Sequence, residues 1–138
     1  MIDHLPIFPI IIPLIAAPLC ALFRHSLIPW SILIITTWSS FASSLLLLYN
    51  ISSHSTIIYR MGGWVAPIGI EYRVDLLNAF IMVLVSGIAA IVAVYARQSV
   101  EQEIDRGRQH IYYSAFLLCL TGLLGISVTG DAFNVYVF

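Results

Sequence analysis

Apolar residues fall into four long blocks, Leu5–Phe23, Ile28–Ile51, Leu76–Ala96 and Ile111–Thr129. Each is on the order of 20 residues, the length one helix needs to cross a hydrocarbon core. A fifth block opens after Thr129-Gly130-Asp131 and runs Ala132–Phe138. Gly130 suits the end of one helix and Asp131 the cap of the next. The pattern predicts an all-α polytopic membrane protein, one domain over 1–138. It has four complete transmembrane helices (5–23, 28–51, 76–96, 111–129) and the start of a fifth (131–138).

The blocks differ in texture. The first carries Pro6, Pro9, Pro13 and Pro18. Each internal proline frees a carbonyl, so this helix should be kinked and lean on neighbours. Asp3 and His4 precede it and no positive charge comes before Arg24, which argues for a retained helix over a cleaved leader. In the second block Thr36, Ser40 and Ser44 recur at i, i+4, i+8, a helix-packing stripe with a hydroxyl-lined ion path as the sharper alternative. Trp30 and Tyr49 mark its ends as interfacial aromatics do. In the third, Asp75 stands as N-cap, and Ser86, Ala89, Ala90 and Ala93 repeat at small-residue spacing. Gly122 and Gly125 read as close-packing glycines.

Two connections carry information. In Ser52–Val74, Gly62-Gly63 signals a turn, and Ile68, Ile70, Tyr72 and Val74 alternate with Gly69, Glu71, Arg73 and Asp75. That period of two predicts a short β-hairpin, about 56–74, lying on one membrane face. Arg97–His110 holds three arginines and three carboxylates and reads as a solvated, partly helical loop with pairs such as Glu103–Arg106. The joints after the first and third blocks carry Arg24, Arg97, Arg106 and Arg108, whereas the hairpin carries Arg60 and Arg73. The excess places the N-terminus outside and the charged loop in the cytoplasm.

Composition narrows the class further. Of 138 residues 60% are hydrophobic and 9% charged, with six Lys+Arg against seven Asp+Glu. Mean hydropathy is +0.96. Soluble domains are about a quarter charged. This balance excludes a soluble domain, a disordered tail and a nucleic-acid binder.

Chemistry inside a membrane usually rests on an ionisable side chain at depth. None of the four complete blocks contains Asp, Glu, Lys, Arg or His. His4, His25, His54 and His110 fall at interfaces or loops. Cys20 and Cys119 lie in apolar runs without metal-ligand spacing and read as small packing residues. No catalytic set, cofactor motif or metal cluster is expected. From Asp131 the fifth helix reaches only about 12 Å, less than half of a roughly 30 Å core. That predicts the front end of a longer chain, with a short re-entrant piece as the alternative.

The segments YRMGGWVAPIGIEYRVDLLNAF (59–80), LLCLTGLLGIS (117–127) and TGDAFNVYVF (129–138) resemble the N-terminal part of the D-type subunit of Mrp-type multisubunit cation/proton antiporters. That family is related to the antiporter-like subunits of respiratory complex I and of membrane-bound hydrogenases. The resemblance is strongest in the first and last segments and weak over the first fifty residues. It implies a bundle of about fourteen helices in full-length members, built on inverted repeats with broken helices. It also implies a bacterial cell membrane, partner subunits of a multisubunit complex, the lipid bilayer, and protons and Na+ as transported ions. The family glutamate on the fifth helix would follow Phe138, so none of its essential charged set maps onto this chain. Gly130, Asp131, Phe133, Asn134, Val137 and Phe138 match the motif at the start of that helix. Asp131 reads as the helix cap, or as a group that hydrates the outer mouth of the proton path or supports that glutamate. The implied function is an N-terminal fragment of a Na+/proton antiporter subunit, inactive alone. The alternatives are a fragment of a complex I-like or hydrogenase-like proton pump, and a small membrane scaffold or assembly subunit.

Overall fold

A computed structural model describes residues 6–24, 27–53, 57–60 and 71–129, with side chains at 57–60 and 71–73 left aside. Four helices are described: α1 Phe8–Leu22, α2 Leu27–Ser53, α3 Leu76–Glu103 and α4 Gln109–Val128. Between α2 and α3, β1 (Ile57–Arg60) pairs antiparallel with β2 (Glu71–Val74).

Two core clusters establish the topology. One gathers Ile7 and Ile10 of the α1 start, Leu47 and Ile51 of the α2 end, Ala79 and Met82 of the α3 start, and Leu124 and Val128 of the α4 end. The other gathers Cys20, Leu33, Ala96, Tyr113 and Leu117 from the opposite ends. The helices therefore run up, down, up and down. Each packs on its neighbour in the chain, and α4 closes the ring against α1.

The distribution of side chains inverts that of a soluble bundle. Ser40, Ser44, Ser86, Ala90 and Ala93 are buried, while Ile35, Leu46, Ile88 and Ile91 face outward. Small residues let helix backbones approach, and lipid covers the bulky aliphatics. Gly87 shows how close the approach is, since a Cβ there would stand 3.1 Å from Phe41 Cε2.

The expected architecture is corrected in three respects. First, three described helices, α2, α3 and α4, are long and apolar enough to cross a membrane, rather than four. α1 has 15 residues, about 22 Å at 1.5 Å per residue, which falls short of a roughly 30 Å core. Its prolines are the physical reason it differs. Pro9 sits in the first turn, where no N–H is needed, but Pro13 and Pro18 each remove a bond inside the helix. The fifth helix expected over 131–138 lies outside the described residues. Second, of the short hairpin expected over about 56–74, the described residues hold only a ladder of four residues per strand, Ile57–Arg60 with Glu71–Val74. Its register ends at Arg60↔Glu71, so 61–70, including the expected turn and Ile68–Ile70, lies between the paired ends and outside the described residues. Third, α3 continues to Glu103, seven residues past the apolar block, and its exposed ion pair is Arg97–Glu101 at 3.0 Å.

Asp75 occupies the N-cap position of α3 with extended backbone, but its carboxylate makes no capping hydrogen bond. The backbone carbonyl does the joining, accepting from Ala79 N at 3.0 Å.

Candidate functional site

The bundle interior is lined by hydroxyls. Thr36, Thr37, Ser40 and Ser44 of α2, Ser86 of α3 and Thr121 of α4 are all buried. Four of them bond back into their own helix: Thr37 Oγ1 to Leu33 O at 2.9 Å, Ser44 Oγ to Ser40 O at 2.8 Å, Ser86 Oγ to Met82 O at 2.6 Å, and Thr121 Oγ1 to Leu117 O at 2.8 Å. Such back-bonding satisfies the donor without linking one hydroxyl to the next. Ser40 differs, because its hydroxyl crosses to α1 and donates to Pro9 O at 3.3 Å. The stripe therefore packs helices and ties α2 to α1.

Charge collects at one end of the bundle, where α3 turns into α4. Arg97 lies 5.0 Å over the Trp30 ring and pairs with Glu101. Trp30 Nε1 donates to Ala93 O at 3.2 Å, one turn before Arg97. Leu27, Arg97, Glu101, Arg106 and Gln109 line a polar cavity of about 450 Å³ at this corner. Gln109, the first residue of α4, is only 1% exposed. Its Nε2 donates to Ile104 O at 3.2 Å, and its Oε1 has no partner among the described residues. Next to it in sequence, His110 is also buried, with Nδ1 unpartnered among the described residues. A second, apolar cleft of about 260 Å³ opens between α3 and α4, with Val85, Ala89, Phe116 and Cys119 on its walls.

The motif residues Gly130, Asp131, Phe133, Asn134, Val137 and Phe138 lie outside the described residues. Thr129, immediately before them, ends α4 with its Oγ1 donating to Gly125 O at 2.7 Å. Among the described residues no group of three His, Cys, Asp or Glu could hold a metal ion. Sequence reasoning missed the buried amide of Gln109. In the chain it is one polar residue in a charged stretch, and only the α3–α4 corner buries it.

No protein-family model matches the chain. Individual relatives do. NADH-quinone oxidoreductase subunit N of Desulforudis audaxviator (strain MP104C) is 34% identical, over 100% of this chain and 28% of its own length. The D-type subunit of a probable K(+)/H(+) antiporter of Rhizobium meliloti (strain 1021) is 33% identical over 99% of this chain and 26% of its own. Among solved structures, a chain of the membrane-bound sulfane sulfur reductase, an archaeal respiratory membrane complex, superposes with a TM-score of 0.86. It is 27% identical, over 97% of this chain and 27% of that one. The chain thus spans roughly a quarter of the proteins it matches. The resemblance carried by GGWVAPIGIE and TGDAFNVYVF holds across the whole sequence, and the chain is homologous to the D-type antiporter subunit and to subunit N of NADH-quinone oxidoreductase.

Proposed function

We propose that the chain supplies membrane-embedded packing helices to a subunit that exchanges a monovalent cation, sodium foremost, for protons within a multisubunit complex. The observation that carries this is the match to the D-type antiporter subunit along 99% of the chain. On this reading the chain alone moves no ions, since the polar groups buried among α2, α3 and α4 are mainly hydroxyls turned into their own helices. Ion transport through a bilayer ordinarily needs ionisable groups at depth. The test is reconstitution of the chain in vesicles with a pH-sensitive dye. No sodium-driven proton flux is expected, and flux from the chain alone would defeat this reading.

The second reading has its own support in the match to subunit N of NADH-quinone oxidoreductase. There the same helices would serve a redox-driven proton pump. Gene neighbourhood separates the two: small antiporter subunits beside this gene favour exchange, and iron–sulfur or quinone-site subunits favour redox pumping.

The setting we propose is the bacterial cell membrane with the N-terminus outside. The end of the bundle bearing Arg24, Arg97, Arg106 and Arg108 then faces the cytoplasm. Cysteine substitutions at Ser53 and Arg106, labelled with a membrane-impermeant maleimide from either side, test it. Labelling of the Arg106 position from outside would reverse the orientation.

A further inference from the structure

We draw no further inference here: the strongest candidate, the apolar cleft of about 260 Å³ between α3 and α4 walled by Val85, Ala89, Phe116 and Cys119, is an unpartnered groove, and nothing in the structure shows what covers it.

Discussion

Ser40 Oγ donates across 3.3 Å to the Pro9 carbonyl, which is the carbonyl that Pro13 deprives of its in-helix partner. An α-helical N–H bonds four residues back, and Pro13 has none. A hydroxyl on α2 thus repairs a gap in α1. Ser40→Ala should cost about 1 kcal/mol, the scale of hydrogen bonds between helices in membranes. In a Pro13→Ala background, where the helix regains its own donor, the same substitution should cost less than half as much. A double-mutant cycle read by denaturation in mixed micelles measures this, and additive effects would show that the two residues are not coupled.

Gly87 and Phe41 set the spacing of α2 and α3. Gly87→Ala adds a methyl group 3.1 Å from the Phe41 ring. Overpacking of this kind costs on the order of 1–3 kcal/mol, against about 1 kcal/mol gained from helix propensity. The substitution should destabilise the chain as it stands. With Phe41→Leu in place its effect should change sign, because the clash goes and the propensity gain remains. The same denaturation assay reads the reversal.

Trp30 should matter more than the ion pair beside it. The Arg97 and Glu101 side chains are 41% and 48% exposed, and such solvated pairs contribute little, at most about 0.5 kcal/mol. Glu101→Gln should therefore leave stability within that margin at any salt concentration. Trp30→Leu removes both the Nε1 bond to Ala93 O and the ring beneath Arg97, and should cost about 1–2 kcal/mol. A larger loss from Glu101→Gln than from Trp30→Leu would reverse this ranking.

The two thiols should separate cleanly by access. Cys20 is buried between α1 and its neighbours with Sγ 3.6 Å from Pro29 O, whereas Cys119 is exposed beside the α3–α4 cleft. In detergent, a small apolar maleimide should modify Cys119 at least about tenfold faster than Cys20. Peptide mass mapping over a time course gives the ratio, and equal rates would mean that α1 leaves the bundle on that timescale.

Hydropathy located α2, α3 and α4 well because lipid rewards uninterrupted apolar length. It misplaced the end of α3 because apolarity reports depth, whereas Arg97, Gln98, Glu101 and Gln102 are good helix formers that carry the backbone on into water. All four residues of β2, Glu71–Val74, fall within the alternation that predicts a strand, whereas β1 was placed only as part of the expected 56–74 span. Thr36, Ser40 and Ser44 were legible as a stripe, but the Pro9 carbonyl as the target of one of them was not, since it depends on how α1 and α2 face each other. The cavity at Gln109 left no trace in the chain, because its walls come from α2, α3, the turn and α4. The motif from Gly130 to Phe138 lies outside the described residues, so its reading rests on the sequence resemblance.

The dependence of α1 on Ser40 bears on how the protein is made. A segment of fifteen residues with two internal prolines leaves carbonyls bare in oil, each costing several kcal/mol. α2 begins only five residues after α1 ends and brings the missing hydroxyl with it. Partition from the insertion machinery should therefore favour the pair over the first helix by itself, and the two are expected to enter together.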